Sequence, residues 1–293
     1  MSKKITEKLI TIRDCINFAE GQFKTVSIYF GHGTDNARDE ACYLVLSILC
    51  LPCDVDLDTE LTTAEQQIVI RAIQRRIQKR VPTAYLTQEA WFAGMPFYVD
   101  ERVIIPRSPL AELIQNYFAP WIKPEKVKRI LDIGTGSGCI AISCAYAFPQ
   151  AQVDAVDTSE AALEVARINC VKHDVQHRVR LLKSDLFSTV QDETYDIIIS
   201  NPPYVSCTEM QTLPQEYLHE PQCALLAGER GDEIIARIIA TAAKHLTAQG
   251  ILVVEVGNSE SEVLQKYPTL PFIWLEFTAG EGEVFLLMAS DLK

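Results

Sequence analysis

The chain has 293 residues, of which 48% are hydrophobic and 23% charged, a length and composition that predict an ordinary globular protein of two domains. The formal net charge of −12 argues against a nucleic-acid-binding module and favours a basic partner. No apolar run is long enough for a transmembrane helix, and the first residues lack a signal-peptide pattern. We therefore expect a cytoplasmic protein with no membrane partner. The pair Cys50 and Cys53 has no second pair at similar spacing, so we expect no metal site.

Residues 1–81 are predicted to form a small helical domain. Apolar residues recur at helical spacing over 5–23, and a second apolar stretch covers 41–51. Thr62 and Glu65 have capping-box spacing, which predicts the start of another helix. The residues of that helix predicted to be buried are Ile68, Ile70, Ile73 and Ile77. Its basic residues are Arg71, Arg75, Arg76, Lys79 and Arg80. We interpret the basic residues as a solvated face, with contact to nucleic acid as the alternative.

Residues 82–106 are predicted to form a β-hairpin that links two domains. Short β-prone runs at 84–87 and 96–100 flank the turn-forming sequence Phe92-Ala-Gly94. Such runs on either side of a glycine are typical of a hairpin or small sheet.

Strand and helix patterns alternate in the rest of the chain, residues 107–293. The predicted strands cover 129–133, 152–157, 179–183, 196–200 and 251–256, and the predicted helices cover 139–148, 160–171 and 234–245. Residues 272–277 and 283–288 are predicted to complete the sheet as a pair. This alternation predicts a doubly wound α/β sheet, which binds its ligand at the carboxyl ends of the strands.

A glycine-rich motif, Asp132-Ile-Gly-Thr-Gly-Ser-Gly138, follows the first of these strands and opens a helix. Its glycines permit a tight turn and the close approach of a ligand to the backbone. A dinucleotide fingerprint would need glycine where this chain has Cys139, which disfavours a dehydrogenase. The spacing resembles the first motif of Rossmann-like methyltransferases.

Two acidic residues follow the next strands. Asp157 is placed to accept hydrogen bonds from ribose hydroxyls, and capping of the next helix is the alternative. Asp185 is placed to accept a hydrogen bond from an adenine amino group, with Leu186 and Phe187 packing on the ring, and a turn followed by core residues is the alternative. The predicted contacts to S-adenosyl-L-methionine are Asp132, Gly134, Thr135, Gly136, Gly138, Asp157, Thr158, Asp185, Leu186 and Asn201.

The sequence Asn201-Pro-Pro-Tyr204 follows the apolar run 196–200 directly. The two prolines fix the backbone and hold carbonyl oxygens outward as unpaired acceptors. Asn201 adds a side-chain acceptor and Tyr204 a flat aromatic face. This combination predicts a receptor for an NH2 group on a planar system, and a proline-terminated strand is the alternative.

A planar amide nitrogen is a poor nucleophile, so its orientation matters. Hydrogen bonds from its N–H groups to Asn201 Oδ1 and the Pro202 carbonyl would orient it and favour the positive charge that develops on methyl transfer. We therefore predict Asn201, Pro202 and Tyr204 as catalytic. No strong base is needed, because the methylated nitrogen becomes very acidic. No catalytic role is expected for the histidines at 173, 177, 219 and 245.

The glycine loop, Asp157, Asp185 and Asn201–Tyr204 together resemble the protein-glutamine N-methyltransferases, and the resemblance covers nearly the whole chain. It implies a Rossmann-like, seven-stranded class I methyltransferase domain at 107–293. A helical substrate-recognition domain at 1–81 and a hairpin linker at 82–106 precede that domain.

Two stretches, 29–36 and 84–108, resemble the branch of this family that modifies large-subunit ribosomal protein three. In the release-factor branch a Pro-Arg pair is typically followed by Pro-Asp-Thr-Glu, whereas Ser108-Pro-Leu-Ala-Glu112 stands here. The resemblance implies a basic ribosomal protein as partner, free or in a ribosome assembly intermediate. It also implies that the substrate pocket is walled by Phe92, Pro106, Arg107, Asn201, Pro202, Pro203 and Tyr204. A structural ion pair is the alternative for Arg107.

Three alternatives stay open at this point. The sibling activity on peptide-chain release factors would use the same catalytic residues. An adenine amino-group methyltransferase on DNA or RNA would use Asn201–Tyr204 on an extruded base, although the acidic charge argues against it. A binding module on an inactive methyltransferase fold would not need the acidic residues or Asn201.

Overall fold

The computed structural model describes residues 9–278 and 283–292. The chain divides into two compact units. The smaller contains the chain up to Ala90 and the segment Pro214–His219, and the larger contains Trp91–Leu213 and Glu220–Lys293. Within the described ranges, every helix is too short or too polar to cross a membrane.

The smaller unit is helical, as predicted. Its helices are α1 (Ile12–Val26), α2 (Ala37–Ile48), α3 (Thr63–Lys79) and α4 (Thr83–Thr87), and a 3₁₀ turn covers Gln215–His219. Helix α1 begins after a capping box formed by Thr11 and Asp14. The predicted start at Ile5 lies outside the described residues. The capping box predicted at Thr62 and Glu65 is confirmed, and it opens α3.

The prediction that the basic side of α3 faces solvent is wrong at Arg76, and the predicted burial of Ile68 is also wrong. The Arg76 side chain is 1% exposed, whereas Ile68 is 45% exposed. The buried residues of α3 are Val69, Ala72, Ile73 and Arg76, which follow helical spacing. The charge of Arg76 is tolerated inside because carboxylates compensate it there, and the sequence pattern did not reveal those partners.

The predicted hairpin is confirmed for its strands, β1 (Glu89–Phe92) and β2 (Met95–Tyr98). The two-residue connection, Ala93 and Gly94, has φ of +50° and +79°, as tight hairpin turns require. The β assignment of residues 84–87 is wrong, because this run forms α4. Pro82 precedes α4 with a φ of −55°, close to the helical value, and Thr83–Leu86 are all buried.

The larger unit is built on a seven-stranded sheet. Its strands are β3 (Arg129–Ile133), β4 (Gln152–Asp157), β5 (Val179–Lys183), β6 (Tyr195–Ser200), β9 (Leu246–Gly257), β10 (Ile273–Leu275) and β11 (Glu283–Met288). Their order across the sheet is β10-β11-β9-β6-β3-β4-β5. Strands β9, β6, β3, β4 and β5 are parallel, and β11 runs antiparallel to β9 and β10. The predicted strands and the predicted terminal pair are therefore confirmed.

Helices and short elements connect these strands. The helices are α5 (Leu110–Gln115), α6 (Cys139–Ala147), α7 (Glu160–Lys172), α8 (Cys207–Met210), α9 (Glu233–Ala242) and α10 (Glu260–Lys266). The strands β7 (Val205–Ser206) and β8 (Leu226–Gly228) form a small parallel pair, and 3₁₀ turns cover Pro124–Lys126 and Gln222–Ala224.

Both faces of the sheet are buried, which explains its continuous apolar runs. In β6, Ile197 and Ile199 belong to the core on one face, and Ile198 belongs to the core on the other. The chain goes from β3 to β4 and β5 on one side and then returns to β6 on the other side of β3. This change of direction opens a crevice at the carboxyl ends of β3 and β6, where α/β sheets bind ligands.

Candidate active site

A cleft of about 790 Å³, partly open to solvent, lies at the carboxyl ends of β3, β4, β5 and β6. The predicted site residues that line it are Gly134, Gly136, Asp157, Thr158, Asp185, Leu186, Asn201, Pro202 and Pro203. Several further lining residues were not predicted from the sequence, among them Arg102, Ile104, Pro221, Cys223, Ile234 and Arg237. The structure therefore brings together most of the predicted cofactor contacts.

The glycine loop adopts a backbone that needs glycine. Gly134, Gly136 and Gly138 have φ of +74°, +54° and +82°, values that L side chains rarely adopt. The amide groups of Gly134 and Thr135 donate to the Val156 carbonyl at 2.9 and 3.0 Å, which ties the loop to β4. A Cβ at Gly138 would lie 3.2 Å from the Ala166 side chain, so this glycine also permits close packing on α7.

Asp132 is fully buried and supports the glycine loop from β3. Its Oδ2 accepts hydrogen bonds from Thr135 Oγ1 at 2.6 Å and from the Ala141 amide at 3.1 Å. Its Oδ1 is buried without a hydrogen-bond partner among the described residues. Burial raises the pKa of this carboxyl to about 7, against the lowering effect of Thr135 and Ala141. Asp132 and Thr135 thus fix the loop, and neither is among the described residues that line the cleft.

Asp157 lies where β4 ends and faces the cleft. Its Oδ2 accepts from the Gly136 amide and its Oδ1 from the Ser159 amide, both at 2.9 Å. Burial raises the pKa of Asp157, and the backbone hydrogen bonds oppose that shift. Each carboxylate oxygen keeps a further lone pair, so the group can still accept from a diol in the cleft.

Asp185 and Leu186 line the cleft after β5. The Asp185 carboxylate forms an ion pair with Arg237 at 2.7 Å, and both side chains are more than half exposed. An exposed pair of this kind contributes little to stability. Phe187 was expected beside Leu186 at a nucleobase, but it is buried and stacks on the His245 ring at 4.6 Å between centroids.

Asn201, Pro202 and Pro203 line the cleft where β6 ends, and Tyr204, the next residue, is not among the described residues that line it. The Tyr204 hydroxyl donates to Glu255 Oε1 at 3.0 Å. Its ring lies against Gly257, where a Cβ would come within 2.4 Å of a ring carbon. Tyr204, which follows β6, is therefore held in place by two residues at the end of β9, Glu255 and Gly257.

Glu255, the carboxylate to which Tyr204 is bonded, was not predicted from the sequence. Glu255 is 2% exposed, and Ser108 donates a short hydrogen bond to its Oε2. Burial raises its pKa to about 7, while hydrogen bonds from Ser108, Tyr204 and Asn201 and the charge of Arg107 act in the opposite direction. The sequence does contain a signal for Glu255, because an acidic residue inside an apolar run such as 251–257 is unusual unless it has hydrogen-bonding or charged partners.

Three residues predicted at the substrate pocket are absent from the described lining of the cleft. Phe92 packs in the core, with its ring 6.4 Å from that of Phe97. Pro106 is also buried. Arg107 forms a two-pronged ion pair with Glu220, with nitrogen–oxygen distances of 2.6 and 2.8 Å. The described lining residues do not include any of the three, and their contact with substrate stays a prediction.

Known proteins are similar in sequence to this chain over its whole length. Residues 115–228 match the family described as methyltransferase small domain. The chain is 47% identical over 296 aligned positions to proteins named ribosomal protein uL3 glutamine methyltransferase from Neisseria meningitidis serogroup B and Neisseria gonorrhoeae. The alignments cover the whole chain and 97% and 99% of these relatives.

The chain belongs to the family of uL3 glutamine methyltransferases. The predicted enzyme class, a methyltransferase, and the predicted family are therefore confirmed.

Among solved structures, the fold is similar to the hMettl16 catalytic domain in complex with hairpins 6 and 1 of the MAT2A 3′UTR. The TM-scores are 0.52 and 0.51, at 15% and 16% identity. These similarities cover 75% and 76% of this chain and 80% and 79% of those chains. Identity at this level supports the fold alone, and it confirms the predicted Rossmann-like methyltransferase architecture.

Proposed function

We propose that the protein transfers the methyl group of S-adenosyl-L-methionine to the side-chain amide nitrogen of a glutamine in ribosomal protein uL3. The observation that carries this proposal is the 47% identity, over the entire chain, to proteins that bear this activity in their names. The cleft supports it, because a glycine loop, a strand-end carboxylate and Asn201–Pro203 line one space.

The residues around the cleft fit this cofactor. Cβ positions at Gly134 and Gly136 would face no atom closer than 3.8 Å, so the loop leaves room for a ligand to lie on its backbone. Asp157 would hold the ribose hydroxyls beside Thr158, and Asp185 with Leu186 would contact the adenine ring. Asp132, Thr135 and Gly138 would keep the loop in shape. When bound, the cofactor supplies an electrophilic sulfonium methyl group.

Asn201 and Pro202 would hold the glutamine amide. Their oxygens would accept hydrogen bonds from its two N–H groups and orient its nitrogen for methyl transfer. The same acceptors would stabilise the positive charge that develops on the nitrogen. Pro203 and Tyr204 would complete this receptor. The methylated amide nitrogen, which is very acidic, would then lose its proton to water without a strong base.

The substrate would reach the enzyme by charge complementarity. A protein with a net charge of −12 attracts a basic ribosomal protein at long range. We propose the helical residues 1–81, the hairpin linker 82–106 and the side chains of Phe92, Pro106 and Arg107 as parts that select the substrate for the catalytic domain 107–293. We further propose that the enzyme acts in the cytoplasm, on free uL3 or on a ribosome assembly intermediate.

The test is methyl transfer from labelled S-adenosyl-L-methionine to three acceptors side by side: unmodified uL3, unmodified release factor and single-stranded DNA. We expect label on uL3 that disappears when one glutamine is replaced. Label on the release factor would keep the mechanism and overturn the substrate. Label on DNA alone would overturn the protein substrate altogether.

A further inference from the structure

We propose that Glu255 is a positioning residue, whose ionised carboxylate holds the Asn201 amide with its oxygen aimed into the cleft. This inference rests on the proposed function, because it concerns how the receptor for the glutamine amide is set. Glu255 itself is not among the described residues that line the cleft, so it would act through Asn201 and Tyr204.

The register of the sheet places Glu255 beside Asn201. Strands β6 and β9 are parallel neighbours, with Ser200 opposite Val254. Asn201 comes directly after Ser200, where β6 ends, and Glu255 directly after Val254, so the two residues come at the same level of the sheet. Gly257 follows two positions later on the same side of β9, and the Tyr204 ring lies against it.

The hydrogen bonds around Glu255 converge on its carboxylate. Tyr204 donates to Oε1 at 3.0 Å and Ser108 donates to Oε2. The Asn201 side chain is near enough to lower the pKa of Glu255, as a hydrogen-bond donor does. An ionised carboxylate only accepts, so the part of Asn201 that faces it must be the NH2 group. The Asn201 oxygen then lies on the other branch of the amide, available to the cleft that Asn201 lines.

The orientation of the Asn201 amide decides whether the site attracts or repels the substrate. An asparagine amide has nearly the same shape in its two flipped orientations, so only its hydrogen-bond partners distinguish them. With the oxygen toward the cleft it accepts from a substrate NH2 group. With the nitrogen toward the cleft, two donors would face each other. A protonated Glu255 could donate to the Asn201 oxygen and thereby stabilise that second orientation.

Protonation of Glu255 falls in the range where the enzyme would be assayed. The groups that face it are the Ser108 and Tyr204 hydroxyls, the Asn201 amide and, at longer range, the Arg107 guanidinium. Burial outweighs these groups and raises its pKa to about 7. The carboxylate is the form that orients Asn201, so turnover should fall as the pH decreases through about 7.

The test compares wild-type enzyme with Glu255→Gln on whichever acceptor the wild type labels. We expect kcat to fall roughly 100-fold, as for misplacement of a reacting group. We expect S-adenosyl-L-methionine affinity to be unchanged and the loss of activity below about pH 7 to disappear. Ser108→Ala, which removes one hydrogen bond to Glu255, should give a smaller loss of the same kind.

Asp154→Asn is the matched control. Asp154 is comparably buried in the same sheet, binds Arg129, Arg180 and Tyr195, and is not part of the cleft wall. Its loss should lower stability without changing the pH profile of kcat in folded protein. If kcat and its pH profile changed equally in Asp154→Asn and Glu255→Gln, Glu255 would serve the fold alone and the proposal would be overturned.

A second readout does not depend on methyl transfer. The side-chain amide resonances of Asn201 should titrate with a midpoint near pH 7 in the wild type and should not titrate in Glu255→Gln. Amide resonances that do not change with pH in the wild type, or a Glu255→Gln variant with normal kcat, would overturn the role of Glu255. A failure of the uL3 assay with a clear titration would overturn only the proposed substrate.

Discussion

In the helical unit, Arg76 Nε donates to Glu40 Oε1 at 2.6 Å, and both side chains are less than 5% exposed. The same guanidinium also reaches Glu216 Oε1 at 3.2 Å and the Tyr29 carbonyl at 2.8 Å. Thr83 and Thr34 donate to the two oxygens of Glu40. A buried cation is thus matched by two buried carboxylates, each with further hydrogen bonds.

Arg76→Ala should lower the free energy of unfolding by about 3–5 kcal/mol, because it leaves Glu40 and Glu216 buried without their cation. Urea denaturation monitored by circular dichroism measures this loss. The control is Arg75→Ala, an exposed neighbour on the same helix, which should change stability by less than about 0.5 kcal/mol. Equal effects of the two substitutions would contradict the structural role of Arg76.

Asn201→Ala should abolish detectable turnover while S-adenosyl-L-methionine affinity stays within about tenfold of the wild type, because the Asn201 oxygen acts mainly on the transition state. Calorimetry for the cofactor and labelled transfer to uL3 measure the two effects separately. Weak cofactor binding with normal turnover would instead place Asn201 in the cofactor site alone.

Asp157→Asn should weaken binding of S-adenosyl-L-methionine about 10- to 100-fold, because hydrogen bonds to a charged acceptor are worth roughly 1.5–3 kcal/mol. Asp192→Asn is the control, an exposed carboxylate that is not part of the cleft lining. Equilibrium dialysis with labelled cofactor measures both. Unchanged affinity in Asp157→Asn would remove the ribose contact from the proposed site.

Gly257→Ala should lower the free energy of unfolding by about 2–4 kcal/mol, since the new methyl group meets the Tyr204 ring and φ is +52°. Turnover should fall with it, because the ring must move. Gly21→Ala, in the exposed interior of α1 with no atom within 4 Å, should instead raise stability by about 0.5–1 kcal/mol. Thermal unfolding compares the stabilities of the two variants. A Gly257→Ala variant as stable as the wild type would show that Gly257 does not hold the Tyr204 ring in place.

The hydrophobic pattern of the sequence predicted the strands of the sheet well. The bounds of β3, β4 and β5 agree with the prediction, because strands buried on both faces form short apolar runs with clear ends. The glycine loop and Asn201–Pro203 were also predictable, because each lies directly after such a strand. Residues 84–87 were not, because burial of α4 rather than β propensity decided their structure.

The supporting residues of the site could not be predicted from local pattern. Glu255 is satisfied by Ser108, 147 positions away, and by Tyr204, 51 positions away. Arg76 is satisfied by Glu216, 140 positions away. A charged side chain in the interior is recognisable only with its partners, and those partners are brought together by the tertiary fold.

The segment Pro214–His219 gives the helical unit a discontinuous sequence. A fragment that ended at residue 90 would lack Glu216, which is bound by Arg76 and Arg80, and His219, which is bonded to the Lys79 carbonyl. Such a fragment would keep a buried arginine with one carboxylate where the intact chain provides two. During synthesis on the ribosome, the helical unit is therefore complete only after most of the methyltransferase sheet has been translated.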